Sequence, residues 1–528
     1  MQKNKLTDNR EEEVPSAARR RRPLLALGIC AALGMVCPLS AMEIRRSPSP
    51  TPAEAQANPS PAESPSPEGT PVSAVSPAPE EVPAPAAAEK ESPSEKIRWG
   101  ITTPDSAYGL PRFEPRLRDT ALKLLACAGV DSVRMGVNWT RVEPERGRMD
   151  FSDLIGRVDE LAGYGISTPI AFLHGTPSWA SGKTGERDLP EERKQKDPTK
   201  ISWAFWPPKD WADWENFVEN AVKTFSGRIE AWEILNEPDL WSEGFNGTYE
   251  DYKVYLQKGY EAAKRANPNC RVFVAGMVFD DKWLPKLLED GWARYFDGVI
   301  THPYAKTGQG VAERNLRTAE LLKSHGVERD IWVTEVGFQS GGWKAGPGVV
   351  DSEEAKAREG GIALRELAKQ KCGLITWYSA NERGDLYGLN RVEPNMALRP
   401  MPMYYEYGEV TGRLPRGGGP VRVEVETPTA PVARGERAEI VLRATNPTDK
   451  PLQVRLWPVG FIEALQPENE GPRAQDWEGE LAPGESRTIT VAIRPDAKAE
   501  GAYPLGLAVI CGAGNSLEIK DFVVVPKS

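Results

Sequence analysis

Eight short apolar runs, each followed by a segment able to form a helix, fill residues 97 to 414 of this chain. The runs are "IRWGIT", "DSVRMGVNW", "STPIAFLHG", "IEAWEILNE", "RVFVAGMVF", "DGVITHPY", "IWVTEVGF" and "LITWYSAN". Near-continuous apolar character of this kind marks strands buried on both faces. Between them lie segments of helical period. In "DWADWENFVENAVKTF" the residues Trp211, Trp214, Phe217, Val218, Ala221, Val222 and Phe225 share one face, with Asp210 as the cap and Gly227 as the stop. Another, "TYEDYKVYLQKGYEAAKRANPN", starts at Thr248 and ends at Asn267-Pro268. Strict alternation leaves few folds, because parallel neighbours need crossover connections. Eight such units predict an α/β chain closed into a (β/α)8 TIM barrel over 96–414. A doubly wound open sheet is the rival, but no glycine-rich phosphate turn follows the first run.

The remainder divides by composition. After Leu414, Gly417 to Gly419 mark a linker, and 415–528 shows short alternating runs such as "RAEIVLRATN" and "SRTITVAIRP" between turns such as "NPTDKP". That pattern predicts an immunoglobulin-like β-sandwich whose role is to pack on the barrel. At the other end, Arg19 to Arg22 precede "PLLALGICAALGMVCPLSA", too short to span a bilayer comfortably but right for a signal segment over 1–41, with cleavage after Ala41. The alternative is a retained signal anchor that would tether the chain to a membrane. Either way the chain is expected to be exported, as a secreted or cell-envelope protein. Residues 42–95 are rich in Pro, Ser, Ala and Glu and cannot bury enough apolar surface to order themselves, so they are expected to form a disordered spacer.

A net charge of −10 argues against nucleic acid as a partner. The six cysteines (Cys30, Cys37, Cys127, Cys270, Cys372 and Cys511) include no closely spaced CxxC pair, so neither a zinc site nor a disulfide framework is indicated. No cofactor and no metal are expected.

A barrel places its chemistry at the C-terminal ends of its strands. Run two offers Arg134 there, run three His174, and run four Asn236 and Glu237. Run six offers His302 and Tyr304, run seven Glu335, and run eight Trp377. Two of only three histidines in the chain fall in this ring. Taken alone, an arginine in a strand pairs with a structural carboxylate as readily as it serves a site, and a lone histidine or tryptophan is more often core. Glu335 differs, because an acid ending a buried strand is expensive without a partner or a task. Glu237 and Glu335 stand three strands apart and so face each other across the mouth. Two such carboxylates are the minimum apparatus for glycoside hydrolysis, one protonated and one ionised. Arg134 and Tyr304 are expected to lower the pKa of Glu335, leaving Glu237 the higher of the two. Between runs three and four, the long excursion of about 175–209 is expected to wall the site, with Trp241 and "SWAFW" framing the substrate.

The whole set in strand order resembles clan A of the glycoside hydrolases, and "WEILNEPD" and "LHGTPSWA" are most similar to family 39, the β-xylosidase and α-L-iduronidase family. The resemblance covers the barrel. It implies Glu237 as general acid/base and Glu335 as nucleophile, with net retention on an oligo- or polysaccharide substrate. Asn236 would hold the 2-hydroxyl, Tyr304 and Arg134 would position Glu335, and His302 would line the site near Glu237. His174 and Trp377 would form its wall and floor. The competing class is a non-catalytic glycan-binding scaffold on the same barrel, against which the intact pair of glutamates argues. A metal-dependent hydrolase would want more His and Asp ligands at strand ends.

Overall fold

The eight runs are strands. They are β1 (Arg98–Thr103), β2 (Ser132–Asn138), β3 (Ser167–His174), β4 (Ala231–Ile234), β5 (Arg271–Met277), β6 (Gly298–Thr301), β7 (Asp330–Val336) and β8 (Leu374–Trp377). The computed structural model describes residues 97–103, 114–182, 203–240, 245–277, 282–341, 348–382, 386–469 and 471–527. The expected signal segment and spacer, most of the excursion after β3, and Trp241 lie outside the described residues. All eight strands pair in parallel around a closed ring, with β1 bonded to both β2 and β8. This is a (β/α)8 barrel.

Helices α1 (Pro115–Cys127), α2 (Trp139–Val142), α3 (Ser152–Ala162), α4 (Trp211–Thr224), α5 (Tyr249–Ala266), α6 (Trp283–Glu289), α7 (Gly308–Ser324) and α8 (Glu353–Lys369) lie among these strands in chain order. Their ends form where local chemistry directs. Asp210 accepts from the Ala212 N–H at 2.9 Å to start α4. Thr248 and Asp251 close a reciprocal capping box at the start of α5.

The barrel interior is graded. Ile170, Ala231, Phe273, Ile300, Trp332 and Leu374 form a separate apolar cluster contributed by strands β3 to β8. Further toward the C-terminal ends of the strands the buried residues turn polar, with Arg134 of β2, Glu233, Thr334 and Thr376 all buried. Two register irregularities lie at this polar level. Between Ile375/Trp377 on β8 and Val333/Val336 on β7, three steps of β7 oppose two of β8. Between β5 and β6, Val274/Met277 likewise opposes Val299/Thr301. An extra residue of this kind re-aims side chains and frees backbone groups.

Beyond helix α9 (Pro402–Val410) the chain forms two sheets. One joins Arg422–Glu426, Ala438–Thr445 and Ser486–Ile493 in antiparallel order. The other orders Val432–Ala433, Ser516–Val525, Gly501–Cys511, Leu452–Val459 and Trp477–Leu481. Both share a continuous core with the barrel. Helix α1 makes the joint: Lys123 is buried with Nζ 2.8 Å from Asp119 and 2.6 Å from Asp476, and Asn515 Nδ2 donates to the Cys127 carbonyl at 2.9 Å. Cys127, Cys270, Cys372 and Cys511 are free and buried.

Candidate active site

β4 ends at Ile234, and the chain then turns through two left-handed residues, Leu235 at φ 68° and Glu237 at φ 44°. A side chain in that region is strained, so the turn needs anchors. The Leu235 N–H donates to the Leu173 carbonyl and the Glu237 N–H to the Gly276 carbonyl, each at 3.0 Å. The extra residue in β5 supplies that Gly276 carbonyl, and the turn presents Asn236 and Glu237 at the mouth. In β7 the irregularity lets two consecutive side chains reach the same site: Thr334 Oγ1 lies 3.1 Å from His302 Nε2, and Glu335 meets Arg134.

Arg134 is the hub. Nε lies 2.7 Å from Glu233 Oε2 and Nη2 lies 3.0 Å from Glu233 Oε1. Nη1 donates to Glu335 Oε1 at 2.9 Å, and Nη2 also reaches Asn236 Oδ1 at 2.6 Å. Its guanidinium lies 4.2 Å from the centre of the Phe172 ring. The other oxygen of Glu335, Oε2, accepts from the Tyr304 hydroxyl at 3.0 Å. His302 bridges the glutamates, with Nδ1 2.8 Å from Glu237 Oε1 and 3.9 Å from Glu335 Oε2. The ring fits there because position 276 is glycine; a Cβ would lie 2.4 Å from its Nε2.

The electrostatics correct one expectation. Burial pushes the Glu335 carboxyl above its ordinary value, and Glu237 adds to the rise, whereas His302, Arg134 and Tyr304 oppose it. Arg134 and Tyr304 therefore act in the expected direction and are outweighed by desolvation. Burial also lowers His302, with Arg134 adding to the effect, so the bridging ring is neutral near pH 7. His174 falls to about 3 through burial and the charges of Arg134 and Arg141. It stands at the end of β3 beside Phe172, 4.7 Å between ring centres, and its Nε2 is buried with no hydrogen-bond partner among the described residues.

Seven of the eight expected side chains gather at this end of the barrel. Trp377 is the exception. It is fully buried, its ring abuts Gly360 of α8, and its Nε1 donates to the Tyr387 carbonyl at 3.0 Å. By the strand's period of two, position 377 faces the helices while 376 and 378 face inward. The aromatic wall beside Glu335 is instead made by Tyr304, Tyr378 and Tyr387, with Tyr387 edge-on to Tyr304 at 6.3 Å and to Tyr378 at 5.3 Å.

Glu233, Thr334, Tyr378 and Tyr387 were not foreseen. Glu233 carried the signal that singled out Glu335, an acid inside a buried run, but it lies four residues short of Glu237. Tyr387 had none, because only the path of the chain after β8 brings it back. Glu237, His302 and Glu335 offer ligand atoms within 4.8 Å of one another, close enough for an ion. Arg134, 2.9 Å from Glu335, sets a fixed positive charge against a dication there.

No protein-family model matches the chain. A coniferin β-glucosidase of Pinus contorta is 26% identical over 125 residues, 23% of this chain and 21% of that protein. The chain thus matches about a fifth of the length of this curated relative. Similar solved structures include a family 39 glycoside hydrolase from Bacteroides cellulosilyticus, 15% identical with TM-score 0.45, covering 77% of this chain and 82% of that one. A monomeric β-xylosidase from Caulobacter crescentus is 14% identical with TM-score 0.45, covering 76% of this chain and 96% of that one. None of these similarities assigns the chain to a family. The chemistry rests on the site.

Proposed function

We propose that the chain is a retaining glycoside hydrolase that cleaves β-linked oligo- or polysaccharides by double displacement at Glu237 and Glu335. The observation that carries this reading is the approach of the two carboxylates within 4.8 Å across the barrel mouth. Retaining enzymes hold their carboxyl groups about 5–5.5 Å apart, and inverting ones need about 6.5 Å or more to admit a water. Glu335 attacks the anomeric carbon, its two oxygens held by Arg134 and Tyr304. Glu237 protonates the leaving oxygen and then activates water. Neutral His302 serves both states of Glu237. With Glu237 protonated, Nδ1 accepts a hydrogen bond from its carboxyl O–H and Nε2–H donates to Thr334 Oγ1; with Glu237 ionised, Nδ1–H donates to it. Asn236 takes the 2-hydroxyl, and His174 forms part of the wall beside it.

The reading extends to the rest of the chain. The two C-terminal sheets serve as an immunoglobulin-like accessory domain over 415–528, beside a catalytic domain over 96–414. Residues 1–41 direct export and 42–95 act as the spacer. The test is hydrolysis of a panel of aryl β-glycosides followed by proton NMR of the first-formed sugar. The β anomer must appear first. An α anomer appearing first would replace retention with inversion, and an inert panel beside an inert polysaccharide set would remove the hydrolase reading.

A further inference from the structure

Glu233 lies in the interior of β4 with no exposed surface. Its carboxylate accepts three N–H groups: Arg134 Nε at 2.7 Å, Arg134 Nη2 at 3.0 Å, and the Gly276 backbone at 2.9 Å. A guanidinium is planar, with its donors in a rigid fork, so holding one edge sets the direction of every remaining N–H. Arg134 also donates to Glu335 and Asn236, at 2.9 and 2.6 Å. We propose that Glu233 is a positioning residue: by gripping the Nε–Nη2 edge of Arg134 it aims Nη1 at Glu335 and Nη2 at Asn236.

The inference rests on the reading of Glu335 as the reacting carboxylate. A merely structural role, in which Glu233 only neutralises a buried arginine, makes a different prediction. Any acceptor would then do, and the chemistry would be indifferent to its reach. The Gly276 contact favours aim over neutralisation, because it pins the carboxylate to the backbone of β5 and so makes it a fixed reference. Glu233 also shares the charge of Arg134 with Glu335 and Glu237. The groups facing Glu335 are Arg134 from β2, Glu237 after β4, and His302 and Tyr304 after β6. Those facing Glu233 are Arg134, His302 and Tyr252 of α5, with Asp239 beside the latter two.

Glu233→Gln keeps the shape, removes the charge and turns one acceptor into a donor. In the full chain kcat should fall about ten- to a hundredfold with KM little changed, the loss expected for one hydrogen bond to a charged group. The Glu335 carboxyl, followed by carbon-13 NMR and assigned by its disappearance in Glu335→Gln, should titrate at lower pH, because a competing negative charge has gone. Glu233→Asp keeps the charge but withdraws the carboxylate by one methylene, so its Glu335 titration should stay near wild type while kcat falls. A lowered melting temperature with unchanged kcat and unchanged titration in Glu233→Gln overturns the proposal. Should that variant not fold, wild-type kcat in Glu233→Asp overturns it. If the wild type hydrolyses no glycoside, the functional reading fails, and the NMR titration still decides whether Glu233 controls the Arg134–Glu335 contact.

Discussion

The Tyr304 hydroxyl donates to Glu335 Oε2 at 3.0 Å on the side opposite Arg134, so each oxygen of this buried carboxylate has its own donor. Tyr304→Phe removes one donor and keeps the ring. Loss of a hydrogen bond to a charged group is worth roughly 1.5–3 kcal/mol, about ten- to a hundredfold in rate if expressed in the transition state. Glu335 must be ionised to attack, and burial already raises its pKa. Activity is therefore lost as pH falls through a value above the ordinary carboxylate range, and Tyr304→Phe should move that acidic limb further up. A pH–rate profile with an unmoved limb would remove Tyr304 from the site.

The two glutamates separate by chemical rescue. Glu335→Gly should abolish turnover, and azide should return the α-glycosyl azide from a β-glycoside. Glu237→Ala should keep turnover of aryl glycosides with very good leaving groups, which need little proton donation. Exchanged outcomes would reverse the assignment.

Trp377 and Tyr378 should differ in kind. Trp377 fills the layer between β8 and α8, so Trp377→Ala should cost about 3–5 kcal/mol of stability and leave KM for a short substrate close to wild type. Tyr378 is half-buried in the aromatic wall; Tyr378→Ala should raise KM with a smaller loss of stability. Urea melts beside initial rates decide it, and a KM effect from Trp377→Phe would return that residue to the site.

The joint between barrel and C-terminal sheets carries a proton. Glu463 donates its backbone N–H to Glu114 Oε1 at 3.0 Å, and the Arg116 N–H donates to Glu463 Oε1 at 3.2 Å. Burial, then the hydrogen bond that protonated Glu114 donates to the Glu463 side chain, raises Glu114 from 4.5 to about 7. The folded chain thus holds a proton that the unfolded chain releases at lower pH. Its contribution to stability is full below the unfolded value and is lost as pH rises through about 7. Calorimetry of the full chain should show the melting temperature falling from pH 5 to pH 8, and less steeply in Glu114→Gln. Identical slopes would place the proton elsewhere.

How much could be read from the chain alone follows from the range of the interactions. The eight strands, the caps at Asp210 and Thr248, and the facing of Glu237 and Glu335 depend on periodicity and on neighbours a few residues away, which a linear string carries. The direction of Trp377 was misjudged because a position at a strand's end was taken as facing the mouth, where the strand's period of two turns it toward α8. Glu233 was passed over because its meaning lies in Arg134, ninety-nine residues earlier, and in a Gly276 N–H freed by an irregularity in β5. The pKa of Glu335 was misjudged because its donors are visible as residue types, whereas desolvation depends on everything packed around the carboxylate. Local periodicity decided the barrel and which strand ends bear the acids. Burial, bulges and the aim of one guanidinium arose only on closure of the ring, since each is a sum over groups that are distant in the chain and adjacent in space.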